Sequence, residues 1–130
     1  MATQLFIPIL AVATLIAITY ARNDVWQNEM SCWEDAAIKS PNKGRVHHNL
    51  GRAYDTNRRP RKAFEQYLIA VTVEPDLAKA HESLGISYTS MGKFDLARYE
   101  LATALRLDPN LQQARTFLDY IAMQDKRSFR

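Results

Sequence analysis

The chain has 130 residues, one cysteine, four glycines and a formal net charge of +3. That length suits one compact unit with an appendage rather than two domains. A lone cysteine excludes an intramolecular disulfide and any cysteine-rich metal or haem centre, and Cys32 is expected to act as a small buried hydrophobe.

The first expected element, residues 1–22, is a hydrophobic helix. Residues 2–21 carry no charged side chain, and the first Lys or Arg is Arg22. The run LFIPILAVATLIAITYA with its flanks is about twenty residues long, near the minimum for crossing a hydrocarbon core of about 30 Å. Pro8 lies near its start, where a missing N–H matters least. A cleaved signal peptide fits less well, since no Lys or Arg precedes the apolar stretch. The segment is therefore read as a membrane anchor or an assembly helix. Lipid, a foreign subunit and copies of itself all remain open as its surroundings.

Residues 23–43 follow as a degenerate half-repeat helix. Trp26, Met30, Trp33 and Ala37 recur at i, i+4, i+7 and i+11, one stripe of a helix. Residues 44–111 then contain an internal repeat. HHNLGRAY, from His47 to Tyr54, is echoed 34 residues later by HESLGISY, from His81 to Tyr88. Ala63 recurs as Ala97, Ala70 as Ala104, and Pro75 as Pro109. Gly51 and Gly85 each give up about 1 kcal/mol of helix propensity, which is expected where two helices approach closely. Leu50, Tyr54, Leu84 and Tyr88 form the large apolar stripe facing that contact. Residues 112–130 close the chain as a capping helix and basic tail, with Leu111, Ala114, Leu118 and Ile121 as its stripe.

This pattern resembles the tetratricopeptide repeat (TPR) family over residues 44–111, whose repeat is 34 residues long. The resemblance implies an all-α fold, a TPR helical-hairpin array of two full repeats plus flanking half-repeats. Two positions depart from the family. His47 and His81 replace the usual aromatic residue. Arg58 replaces the inter-helix glycine seen as Gly92, and Asn57 is expected to take the left-handed turn conformation there instead. Residues 21–54 also resemble, more loosely, the junction between the last membrane helix and the TPR tail of bacterial polytopic membrane proteins related to glycosyltransferases. That likeness implies a bacterial, membrane-anchored chain with its repeats on the extracytoplasmic side.

No Ser-His-Asp spacing, phosphate loop or paired-carboxylate motif is present, so no enzyme activity and no cofactor are expected. His47, His48 and His81 fall at repeat positions, which favours packing over metal binding. By resemblance, the first helix of each repeat lines the ligand groove. Its facing positions are Arg45, His48, Asn49, Arg52 and Asp55, then Lys79, Glu82, Ser83, Ile86 and Thr89. Arg45, His48, Asn49, Arg52 and Lys79 are the candidate residues for a protein or peptide partner of anionic character. Some TPR domains clamp a peptide carboxylate with Lys and Asn at such positions. Asn49 and Lys79 match two of them, whereas His48, Arg52 and Ser83 depart. Arg58, Arg59, Arg61 and Lys62 form a second basic cluster suited to a polyanion. The expected function is an anchored scaffold, acting as a homo-oligomer or as an accessory subunit of a membrane complex. The alternative is a self-assembling, filament-forming protein whose basic stretches bind nucleic acid.

Overall fold

The computed structural model describes the backbone of residues 3–128 and the side chains of residues 12–19 and 29–127. Among the described residues six helices follow one another: α1 (Thr3–Lys39), α2 (Gly44–Thr56), α3 (Pro60–Val73), α4 (Ala78–Ser90), α5 (Phe94–Leu107) and α6 (Gln112–Ser128). Helices α2 and α3 form one antiparallel hairpin and α4 and α5 the next, with α1 against α2 and α6 across α5 and α4.

Small residues set the spacing within each hairpin. A Cβ added to Gly51 would lie 2.5 Å from Cε1 of Tyr67, and one added to Gly85 would lie 2.6 Å from Cγ of Leu101. Ala63, Ala70, Ala97 and Ala104 have no exposed surface. Two cores result. Leu50, Tyr54, Ala63, Tyr67 and Leu84 form the first, with Met30, Trp33 and Ala37 of α1 packed against it. Ala97, Leu101, Ala104, Leu111, Ala114 and Ile121 form the second. Leu84, Leu101 and Ile121 are completely enclosed, and each such side chain stabilises the fold by roughly 1.5–3 kcal/mol relative to exposure. Helix α1 therefore supplies the outer helix of a missing repeat, and α6 covers the last apolar face. Trp26 belongs to the expected α1 stripe, but its side chain lies outside those described.

The two histidines at the aromatic position act as repeat-related bolts. Nε2 of His47 meets the Pro41 carbonyl at 2.9 Å and its Nδ1 meets Oε1 of Gln66 at 2.8 Å. His81 does the same with the Pro75 carbonyl at 2.8 Å and Oε2 of Glu100 at 2.7 Å. Each ring thus ties a hairpin's first helix to its second helix and to the preceding turn. Each ring nitrogen lies within hydrogen-bond distance of an oxygen, so a polar ring can replace an aromatic one in the interior.

Two expectations change, and a third falls largely outside the described residues. Cys32 is exposed rather than buried, because it lies on α1 away from the Met30, Trp33 and Ala37 stripe that meets α2. The left-handed turn residue is Arg58, at φ 57°, and not Asn57, which stays at φ −87°. Asn57 donates its Nδ2 to the Ala53 carbonyl at 2.8 Å, and this bond holds it at the end of α2 and passes the turn to the next residue. The spanning segment expected over residues 2–21 is not found, since among the described residues no helix is long and apolar enough to cross a membrane. The side chains of residues 2–11, 20 and 21 lie outside those described. No break in α1 marks residue 22, the expected end of the anchor. Within the described part, Val12, Leu15, Ile16 and Ile18 are 52–63% exposed.

A left-handed conformation costs a side-chain-bearing residue roughly 1–2 kcal/mol, and glycine escapes this at the price of a more flexible unfolded chain. Arg58→Gly should therefore raise stability by about 0.5–1 kcal/mol in urea unfolding. At the equivalent turn Gly92 has φ 71°, so Gly92→Ala should lower stability by about 1 kcal/mol. The opposite order of midpoints would show that the two turns are not conformationally equivalent.

Candidate binding groove

Helix α4 touches both α2 and α6 along one side of the array, whereas α3 and α5 do not touch each other. The inner surface is therefore built from first helices. At its base stands His48, half-buried between the two hairpins. Its Nε2 lies 3.2 Å from Oγ of Ser83, and its ring lies 5.8 Å from the Tyr67 ring. Tyr67 in turn donates its hydroxyl to Oδ2 of Asp55 at 2.7 Å. Burial lowers the His48 pKa to about 4, and the Arg52 and Lys79 charges push in the same direction. A neutral imidazole thus lies in the field of two cations from neighbouring repeats. Burial and the Asp55 hydrogen bond together raise the Tyr67 pKa, so its hydroxyl stays protonated.

Of the five candidate partner residues, Arg52 and Lys79 both act through their charge on a third, His48. Asn49 and Arg52 also line a cleft of about 460 Å³ between α1 and α2, with Glu29, Trp33, Ala53 and Thr56 as its other walls. Arg45 stands apart. Its Nε is 3.6 Å from Oε1 of Glu74 near the end of α3, and the side chain is 80% exposed, so the pair contributes little.

Two residues expected on the groove face turn inward. Glu82 is 4% exposed; its Oε1 accepts the backbone N–H of Ala114 at 3.1 Å, and its Oε2 lies 3.2 Å from Nζ of Lys79. The first turn of α6 contains no acidic residue, so Glu82 provides from α4 the acceptor that this helix start requires. Thr89 is also buried and donates its hydroxyl to the Gly85 carbonyl at 2.9 Å.

The second basic cluster surrounds the α2–α3 turn. Arg58, Arg59, Arg61 and Lys62 are all exposed. Nζ of Lys62 lies 5.4 Å above the Tyr54 ring, a contact that uses its charge. Arg61 borders a second cleft, of about 440 Å³, with Asp55, Pro60, Ile86, Ser87 and Met91 among its walls. Both clefts take walls from the C-terminal half of α2, Asn49, Arg52, Ala53 and Thr56 in one and Asp55 in the other. Sequence reasoning missed Glu29, Trp33 and Met91 as walls. Trp33 was visible as an apolar stripe residue, but nothing in its spacing distinguishes a core tryptophan from one that also borders a cleft.

No family profile matches the sequence. The human Protein O-mannosyl-transferase TMTC3 is 25% identical over 104 residues, covering 80% of this chain and 11% of that protein. The chain thus spans a small fraction of the curated relative's length. Among solved structures, the first TPR of Spaghetti (RPAP3), bound to the HSP90 peptide SRMEEVD, superimposes with a TM-score of 0.72 at 20% identity, covering 82% of this chain and 84% of that one. The second TPR domain of human RPAP3, in complex with the HSP70 peptide SGPTIEEVD, gives 0.68 at 21% identity, covering 80% and 87%. The fold is therefore a TPR helical-hairpin array.

The His48 pKa near 4 lies below its unfolded value of 6.5, so the native state holds the neutral ring. The resulting stabilisation is complete above pH 6.5 and is lost as pH falls from 6.5 toward 4. Replacing His48 by Gln should flatten the fall in urea midpoint across that window. An unchanged slope would show that His48 does not control it.

Proposed function

We propose that this chain is a non-enzymatic TPR scaffold that holds an extended peptide segment bearing carboxylates. The observation carrying this reading is the half-buried cluster of His48 with Ser83 and Tyr67, on which the charges of Arg52 and Lys79, from two different repeats, both act. Two cations acting on a neutral imidazole form a site that an anion would stabilise, because charge-assisted hydrogen bonds to carboxylates are about twice as strong as neutral ones. The flanking clefts provide room for neighbouring side chains, and their apolar walls, Trp33 on one side and Ile86 and Met91 on the other, suit apolar groups. The peptides bound by the two RPAP3 domains both end in Glu-Glu-Val-Asp, which supports an acidic ligand for a groove of this fold. The departures at His48, Arg52 and Ser83 mean that this groove grips such a ligand with its own set of donors. The sugar-transferring activity named for TMTC3 has no counterpart in this reading.

The scaffold is held at a lipid bilayer by α1. Val12, Leu15, Ile16 and Ile18 lie outside both cores, and an apolar helical face of this kind gains about 25 cal/mol per Å² when it leaves water.

Calorimetric titration of the full chain with SRMEEVD and SGPTIEEVD tests the groove. Binding is expected, and Arg52→Ala or Lys79→Ala should each weaken it on the order of tenfold or more, since a hydrogen bond to a charged group contributes about 1.5–3 kcal/mol. Changing the peptide glutamates to glutamine should have a similar effect. Affinity indifferent to both sets of changes would contradict the proposal.

A further inference from the structure

The charge of the array is concentrated at one end. Helices α2, α4 and α6 all finish there. The α2–α3 turn brings Arg58, Arg59 and Arg61, the α4–α5 turn brings Lys93, and the last turn of α6 brings Lys126 and Arg127. Arg61 and Met91 border the same cleft, and Arg98 near the start of α5 reaches Oδ2 of Asp125 at 2.7 Å, which places the three segments side by side. Of the acidic groups at this end, Asp95 and Asp125 share Arg98 and Asp55 accepts the Tyr67 hydroxyl, while Glu29 on α1 is exposed. All six basic side chains are exposed, and none forms an ion pair among the described residues. The opposite end is balanced, with Lys39 paired to Asp35 and Arg45 to Glu74.

The fold gains nothing from the charges at the α2–α3 turn. Arg58 adopts an unfavourable left-handed conformation. Arg59 and Arg61 flank the start of α3, which has no side-chain cap and whose dipole disfavours positive charge. Residues that oppose local structure in this way point to a requirement outside the fold.

Their position suggests the requirement. Helix α1 runs antiparallel to α2, and Glu29 and Thr56 line one cleft, so these two residues stand at the same level. Beyond that level α1 continues past the array on the side where the α2–α3 turn projects. Thr19 lies ten residues further along α1, about 15 Å at 1.5 Å per residue. The exposed apolar face formed by Val12, Leu15, Ile16 and Ile18 begins there. An apolar helical extension and an unpaired basic surface thus point the same way.

We propose that this end of the array faces an anionic lipid surface, with α1 seated in the bilayer and Arg58, Arg59, Arg61, Lys93, Lys126 and Arg127 directed at the headgroups. This rests on the anchoring by α1 proposed above. The α2–α3 turn lies within about two screening lengths of the boundary, a screening length being about 8 Å at physiological salt. Each basic residue then increases partitioning on the order of fivefold.

Flotation of the full chain with two kinds of vesicle tests this, one of phosphatidylcholine alone and one an equal mixture of phosphatidylcholine and phosphatidylserine. Wild type should bind both and prefer the mixture. The variant R58Q/R59Q/R61Q should keep its binding to phosphatidylcholine and lose on the order of a hundredfold of the preference for the mixture. Retention of the full preference would overturn the basic surface while leaving the anchor intact. The variant L15D/I16D/I18D should bind phosphatidylcholine vesicles far more weakly than wild type; equal binding would overturn the anchor and the basic surface with it. Binding of a single-stranded RNA oligonucleotide more tightly than the phosphatidylserine vesicles, and loss of that binding in R58Q/R59Q/R61Q, would overturn the lipid assignment in favour of nucleic acid.

Discussion

The Tyr67 ring lies directly against Gly51, and the rest of the first repeat follows from that contact. With no Cβ at Gly51, α2 and α3 approach until the ring covers the glycine. From there the Tyr67 hydroxyl reaches Asp55 and its ring flanks His48. The same approach recurs at Gly85, where Leu101 takes the place of the ring. Leucine provides no hydroxyl, so the second repeat repeats the packing without the polar cluster. The first hairpin is therefore the one equipped to shape a charged groove.

Both termini of the array are closed by partial repeats that do more than shield a core. Helix α1 covers the first hairpin with Met30, Trp33 and Ala37 and also forms one wall of a cleft. Helix α6 covers the second and is joined to α4 through Glu82, whose carboxylate serves the Ala114 N–H and Lys79 together. A buried carboxylate is costly without partners, and here both oxygens are engaged. Glu82 consequently couples the seating of α6 to the position of a groove cation. The proposed ligand site and the end of the array are linked by one side chain.

Much of the fold was legible because helix-pair packing imposes its own period on the sequence. The 34-residue shift, the recurring alanines and the Leu-Gly pairs locate both hairpins, and the stripe from Leu111 to Ile121 locates α6. Within the groove, helical spacing placed Arg45, His48 and Arg52 on one side, but it could not reveal that the Lys79 charge would act on His48 from the next repeat. The family resemblance assigned Glu82 and Thr89 to the groove, because a repeat pattern carries no information about a later helix folding over it. Cys32 was misread for a related reason, since composition predicts burial and only the facing of α1 decides it. At the turn, the family pattern marked the missing glycine, yet the Asn57 side-chain bond to Ala53 moved the left-handed residue to Arg58.

The Gly51–Tyr67 contact sets the environment of the groove, and the imidazole titration of His48, followed by NMR in the variant Gly51→Ala, reads that dependence. An added methyl must displace the Tyr67 ring, at a cost of roughly 1–3 kcal/mol, and so open the enclosure of His48. The variant should remain folded, with the His48 pKa raised from about 4 toward 6.5. A folded variant in which His48 still titrates near 4 would contradict that dependence.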